Sequence, residues 1–294
     1  YTPTTAGLHS FTVSVNDGYN TVTCNTSLTV HPLPTVYNVG GGGGYCAGGT
    51  GKLITLSGSQ SNPPTTYQLY FNGSPVGNPK NGTGAAISFG PYTEAGVYTI
   101  KATHPATGCE QWMNGEATIV IWSNPIADAG IDIVINGYNM PAVLTGNASG
   151  GTEPYSRFEW LPQNKINGAN FQNNPSGTSF QVNTVQLTNP VNEFYFKVMD
   201  ANNCMATDTV IVSVLGQQLQ GTISATPDVI CNNGSYIQLN ATASNGSGGP
   251  YTFTWSSNPS GPAIPSIPNP IVNPTQNTQY IVTISDGYSS IQLS

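Results

Sequence analysis

The sequence predicts an all-β chain built as a tandem array of two-sheet β-sandwiches, truncated at both ends. The first ground is repetition. Four times an apolar/polar alternation leads into a tight turn and a second alternating run: HSFTVSVNDG (9–18), GVYTIKATHP (96–105), EFYFKVMDAN (193–202) and TQYIVTISDG (278–287). Their aromatic anchors Phe11, Tyr98, Tyr195 and Tyr280 lie 87, 97 and 85 residues apart, the size of one small β-domain. The second ground is that period-two runs recur between these hairpins while no stretch reads as a helix. The third is composition: 34 Gly and 23 Pro punctuate a chain that is 37% hydrophobic, which is turn chemistry between short strands rather than disorder.

Taken in order, residues 1–32 read as the C-terminal hairpin of an incomplete domain. Complete domains are expected at 33–122 and 123–215, and a fourth at 216–294 with its last strand cut. Proline-marked links separate them: HPLPTV after Val30, SNPIAD after Trp122 and LGQQLQ after Val214. Links this short predict touching neighbours and a semi-rigid array. KLITLSGS (52–59), AVLTGNAS (142–149) and YIQLNATAS (236–244) alternate as half-buried strands do. The strand after each carries a large aromatic: YQLYFNG offers Tyr70 or Phe71, RFEWLP offers Trp160 and YTFTWSS offers Trp255. A Trp between two sheets is the packing of an immunoglobulin-like sandwich. The predicted core aromatics are Trp160, Trp255, Tyr98, Tyr195 and Tyr280. The glycine pentad Gly40–Gly44 reads as a flexible crossing between the first two strands.

Charged residues are only 6% of the chain, against roughly a quarter in ordinary domains. Net charge is −7, and the six basic residues, Lys52, Lys80, Lys101, Arg157, Lys165 and Lys197, are scattered singly. No basic stripe exists to displace counterions from a phosphate backbone, so nucleic acid is not an expected partner. No run of about 18 apolar residues is present, so no membrane span is expected in this segment.

Catalytic and metal motifs fail one by one. CAGGTGKL (46–53) has Cys46 and Leu53 where a phosphate-binding loop needs Gly and Ser or Thr, and a strand follows it. His9, His31 and His104 stand singly, without a second ligand at metal spacing. No carboxylate pair, nucleophile elbow or metalloprotease signature occurs, so no enzyme and no cofactor are expected. Asp17, Asp200 and Asp286 recur at the first hairpin strand's end, with His104 in their place in the second domain. A short carboxylate there can accept turn N–H bonds; the alternative is a calcium ligand joined by Asp128 and Asp132, although calcium wants six to eight oxygens. The N-x-S/T triplets at Asn25, Asn72, Asn81, Asn147, Asn233, Asn240 and Asn245 follow from composition. Asp208-Thr209-Val210 weakly matches a short O-glycosylation signal.

The five cysteines occupy two recurrent positions. One precedes the second strand: Cys46, then Asn136, then Cys231. The other lies in the hairpin: Cys109, Cys204, then Ser290. In an immunoglobulin-like topology these are at opposite ends of a domain, a strand length of roughly 17–20 Å apart, where a disulfide tolerates about 7 Å. Pairing the first position of one domain with the second position of the next joins Cys46 to Cys204 and matches the two absences, Asn136 with Ser290. The alternatives are a Cys46–Cys109 bond within one domain and free thiols elsewhere. Cys24 has no assigned partner.

PIADAGIDIVINGY (125–138), FYFKVMDANNC (194–204) and ATDTVIVSV (206–214) resemble the PKD-like and immunoglobulin-like repeats of giant cell-surface proteins in gliding, biofilm-forming Bacteroidota-type bacteria. The segments 40–60 and 85–109 resemble a second repeat type of the same proteins. The resemblance implies export by the outer-membrane (type 9) secretion machinery of gliding bacteria and display outside the cell. It also implies an adhesin or stalk role, with neighbouring repeats, surface glycans or other cells as partners. Two other functions remain open: a carbohydrate-binding or spacer region of a secreted polysaccharide-degrading enzyme, and a self-assembling filament subunit whose open hairpins accept strands. Tyr19, Tyr92, Trp112 and Tyr288 are candidate sugar-stacking aromatics.

Overall fold

A computed structural model describes residues 2–231 and 235–294, so the triplet at Asn233 lies outside the described residues. The chain divides into two units, Tyr1–Ser123 and Asn124–Ser294. Strands make up nearly all its regular structure, and the helical piece among the described residues is one 3-10 turn at Gln163–Lys165.

The first unit opens with a two-stranded ribbon, β1 (Gly7–Asn16) and β2 (Thr21–Val30), paired antiparallel with Val13 opposite Cys24 and Val15 opposite Val22. Alternation therefore gathers Phe11, Val13, Val15, Val22, Cys24 and Leu28 on one face. No third strand joins this sheet among the described residues, and Val13, Val15 and Val22 are 55%, 66% and 68% exposed.

The sandwich that follows uses β3 (Val39–Gly41), β4 (Gly43–Cys46), β5 (Lys52–Leu56), β6 (Thr66–Phe71), β7 (Ser74–Asn81), β8 (Ile87–Tyr92), β9 (Gly96–Thr103), β10 (Glu110–Trp112) and β11 (Ala117–Trp122). One sheet runs β3-β5-β8 and the other β4-β11-β9-β6-β7, with β10 also on β9. The glycine pentad is packed rather than a flexible crossing. Gly40 and Gly41 pair with Thr55 and Ile54 in one sheet, and Gly43 and Gly44 run parallel to Ile119 and Val120 in the other. Gly42, at φ +75°, carries the chain between sheets so close to β11 that a Cβ would lie 2.6 Å from the Thr118 carbonyl oxygen. Only glycine fits there, because the positive φ and the close approach coincide.

The second unit holds two sandwiches. The first comprises β12 (Pro125–Asp128), β13 (Ile133–Ile135), β14 (Val143–Gly150), β15 (Arg157–Leu161), β16 (Ile166–Asn167), β17 (Phe171–Asn173), β18 (Ser179–Thr184), β19 (Val191–Met199) and β20 (Met205–Val214). Its sheets are β12-β14-β18-β16 and β13-β20-β19-β15-β17. As in the preceding sandwich, the chain's first stretch is split between the sheets, and its second part, β13, runs parallel to the last strand. The second sandwich has β21 (Gln220–Thr226), β22 (Ile237–Ser244), β23 (Thr252–Asn258), β24 (Ile271–Val272), β25 (Gln279–Ser285) and β26 (Ser290–Leu293), in sheets β21-β22-β24 and β23-β25-β26.

Each sandwich has its own apolar cluster. These centre on Ile54, Tyr67, Leu69 and Ile100, then on Phe158, Trp160, Phe194 and Phe196, then on Leu239, Trp255, Val282 and Ile284. Separate cores make each sandwich a module rather than a slice of one body. Trp160 packs 5.0 Å from the Phe196 ring and donates its indole N–H to the Phe180 carbonyl, and Trp255 likewise donates to Ile267. A buried indole that satisfies its one donor combines large apolar area with no unpaired polar group.

One expectation is corrected by one residue of register, and one pair of alternatives is resolved by it. Tyr195 is not a core residue: it faces out between the buried Phe194 and Phe196, because side chains on a strand alternate and β19 places even-numbered residues inward. On β6 the fully buried ring is Tyr67, with Phe71 at the core's edge against Tyr98, while Tyr70 faces outward. Tyr98 is buried, and Tyr280 is half-buried against its cluster.

Candidate functional site

The residues ending each hairpin's first strand form a recurring lock. In the ribbon, Asp17 Oδ1 accepts the backbone N–H groups of Tyr19 (2.9 Å) and Asn20 (2.6 Å). In the sandwiches that follow, the same position also reaches a second loop. Asp200 accepts Asn202 and Cys204 on Oδ1 and Thr152, in the loop after β14, on Oδ2. Asp286 accepts Tyr288 and Ser289 on Oδ1 and Ser247, in the loop after β22, on Oδ2. His104, buried, makes the equivalent reach with Nδ1 2.9 Å from Thr65 Oγ1. Burial pushes the Asp286 carboxyl's pKa up, but the N–H groups of Ser289, Ser247 and Tyr288 outweigh it and hold the pKa below its ordinary value.

In the second unit the two loops that Asp286 holds meet the turn after β13 and form the joint between its two sandwiches. The Gly246 carbonyl accepts the Tyr138 N–H at 2.7 Å, and the Gly246 N–H donates to Gln217 at 2.8 Å. The Tyr288 carbonyl accepts Asn139 Nδ2 at 2.9 Å. Gly246 directly precedes Ser247, whose N–H Asp286 accepts, and Tyr288 gives its own N–H to Asp286. Gly216 in the linker lies so close to Gly137 and Tyr138 that a Cβ there would collide with backbone.

Cys46 and Cys204 are both in the disulfide state, whereas Cys24, Cys109 and Cys231 are free thiols. Cys46 closes β4 in register with Trp122, the last residue of the last strand, while Cys109 lies before β10 at the other end of the same sandwich. Asp128 Oδ1 accepts the Gly130 N–H, Asp132 Oδ1 that of Ile211, and Asp208 Oδ2 that of Ala129, so each holds backbone around the β12–β13 crossing. Among the described residues no three His, Cys, Asp or Glu side chains gather to hold a metal, and no helix is long and apolar enough to cross a membrane.

The candidate aromatics part company. Tyr92 packs against Tyr98 at the core, Tyr19 stands at the ribbon's tip, and Tyr288 belongs to the joint. Trp112 lies on an outer sheet face, 48% exposed, its ring 4.8 Å edge-on from Tyr70. Lys101 Nζ sits 5.4 and 5.5 Å from these two ring centroids and 2.8 Å from Glu110 Oε2. The corresponding face of the next sandwich carries Arg157 stacked 4.4 Å over Phe171 and paired with Glu159 at 3.0 Å. The sequence offers Tyr70 as a core aromatic and Lys101 and Arg157 as isolated basic residues, and it does not single out Phe171, although Lys101 and Lys197 each stand three places before a lock residue.

No protein family matches the chain, and no curated protein matches it. Among solved structures it is similar to a three-immunoglobulin-domain I-band fragment of titin, at 13% identity over 89% of this chain and 96% of that one, with a TM-score of 0.38. It is similar also to immunoglobulin domains 1–5 of Sidekick-1 (13% identity, 99% and 66% covered, TM-score 0.31) and to fibronectin(III)-like modules of Clostridium thermocellum CbhA (14%, 61% and 94%, 0.33). The immunoglobulin-like tandem fold rests on the strand order, the parallel β4–β11 and β13–β20 pairs and the separate cores described above.

Proposed function

We propose that the chain is a non-catalytic, load-bearing segment of an extracellular adhesive surface protein, of the kind gliding bacteria display, in which sandwiches in series hold a binding surface away from the cell. The observation that carries this reading is the joint in the second unit, where Tyr138 and Asn139 bond Gly246 and Tyr288 across a linker too short to swing freely. Modules with separate cores yield one at a time under load, so a bonded row lengthens stepwise instead of breaking. The ribbon is read as the last two strands of a further sandwich, since DGYN at 17–20 repeats DGYS at 286–289 and its turn is bonded in the same way.

A Cys46–Cys204 disulfide belongs to this reading. Both cysteines are oxidised, and their repeat equivalents, Asn136 and Ser290, flank the loops that meet at the observed joint. A covalent tie at such a point would resist shear, and it suits an oxidising, extracellular setting. Pulling the chain from its two ends under reducing conditions should give separate unfolding events, each releasing roughly 300 Å of contour for about 90 residues. Under oxidising conditions a Cys46–Cys204 bond should withhold the contour of the residues between the two cysteines. A non-reducing peptide map should return one Cys46–Cys204 pair. A single cooperative rupture would overturn the spacer reading, and a Cys46–Cys109 peptide would overturn the cross-link.

A further inference from the structure

The outer faces of two consecutive sandwiches bring half of the chain's basic residues together with exposed rings and carboxylates. The chain has six basic residues, and three of them, Lys101, Arg157 and Lys197, lie on these faces beside half-exposed rings and carboxylates. On the first face, Lys101 of β9 bridges Tyr70, Trp112 and Glu110. On the second, Glu159 and Lys197 are register partners, and Arg157 covers Phe171, itself 41% exposed. A shallow cleft of about 190 Å³ opens there between Arg157, Glu159, Lys197, Val198, Met199 and Met205. Arg157 Nε is buried with no hydrogen-bond partner in the protein.

These clusters are not something the sandwich needs in order to fold. The position three before the lock is Lys101 or Lys197 in two sandwiches but Thr283 in the third, where Thr254 stands opposite and the sheet forms all the same. Solvent-exposed ion pairs of this kind contribute little to stability, which is little reason for a chain so poor in charge to place its cations there.

We propose that the Tyr70/Lys101/Glu110/Trp112 face and the Arg157/Glu159/Phe171/Lys197 face each bind a segment of polysaccharide, one site per sandwich. The proposal deepens the adhesive reading and rests on it. A pyranose offers an apolar C–H face and a rim of hydroxyls that both donate and accept. A half-exposed ring receives the first without full desolvation of the sugar. An ammonium or guanidinium beside a carboxylate serves the second, one as donor and the other as acceptor, through charge-assisted bonds. A protein partner would be expected to ask for a larger, continuous apolar core than two isolated rings provide. Two weak sites on one chain raise affinity for a polymer far above that for a short oligosaccharide, because the second contact is intramolecular.

Electrophoresis of the 294-residue chain through native gels containing, in turn, hydroxyethylcellulose, xylan, mixed-linkage β-glucan and alginate tests this. Retardation is expected in at least one gel. Trp112→Ala and Phe171→Ala should each weaken the apparent affinity at least about tenfold, and the double variant should migrate as in a polymer-free gel. Tyr19→Ala, at the ribbon tip, should bind as the parent does, and unchanged circular dichroism would show that the variants are folded. Unretarded migration in all four gels, or retardation that survives the double variant, overturns the proposal. Either result leaves the stepwise unfolding of the spacer reading untouched, so the two ideas fail separately.

Discussion

Asp286 gathers three backbone N–H groups from two loops at a buried position. Replacing it with Ala strands those donors, and each buried unpaired donor costs about 1–3 kcal/mol. Asp286→Ala should therefore lower the stability of the 216–294 sandwich by about 3 kcal/mol or more, read as a lower denaturant midpoint for the transition reported by Trp255. The pH dependence has a definite sign. The folded carboxyl titrates below its unfolded value of about 3.9, so its contribution is complete above that pH and is lost as pH falls through the lower folded value. An acid titration should loosen this sandwich below about pH 4, and Asp286→Asn should remove that acid step. Trp160 illustrates the apolar side of the same economy of contacts. Its truncation to Ala should cost about 3–5 kcal/mol, measured by chemical denaturation of the chain.

At the level of elements, the ribbon and the last hairpin are one motif in two environments. Val13 and Val15 correspond to Val282 and Ile284, counting back from Asp17 and Asp286. The first pair is mostly exposed, and the second is fully buried against the opposite sheet. The same substitution should therefore have very unequal consequences. Val282→Asp buries an unpaired carboxylate and should unfold its sandwich, whereas Val13→Asp should leave the melting temperature of the 294-residue chain unchanged. Equal losses at both sites would show that the ribbon's apolar face is covered in solution. The crossings between sheets obey another constraint. Gly42→Ala adds a Cβ at positive φ against the Thr118 carbonyl, so it should destabilise the 33–122 sandwich by more than the ~1 kcal/mol of an ordinary glycine replacement.

For the whole molecule, separate cores predict separate transitions. Equilibrium unfolding followed by Trp160 and Trp255 should not superimpose, since these residues sit in different clusters. Only two ion pairs are found among the described residues, and both are at the surface. Raising NaCl from about 0.05 to 0.5 M should accordingly leave the melting temperatures almost unmoved, because there is little charge interaction to screen. A large salt shift would mean that stability draws on electrostatics these sandwiches do not show.

The sequence by itself determined the strands, the repeat length and the hairpin turns, because period-two alternation and Asp-Gly chemistry are local properties that neighbouring residues carry together. The recurring Asp17, Asp200 and Asp286 were visible for the same reason. Tertiary structure decided which side of each alternation faced inward. That is why Tyr195 and Tyr70 ended on the surface, one residue out of phase with Phe196 and Phe71, and why the glycine pentad became packed backbone. It also decided the second reach of the lock to Ser247 and Thr152, and the meeting of Arg157 with Phe171 and of Lys101 with Trp112. Those contacts join strands distant in the chain, and their geometry is set by sheet order and register, which no single stretch of residues encodes.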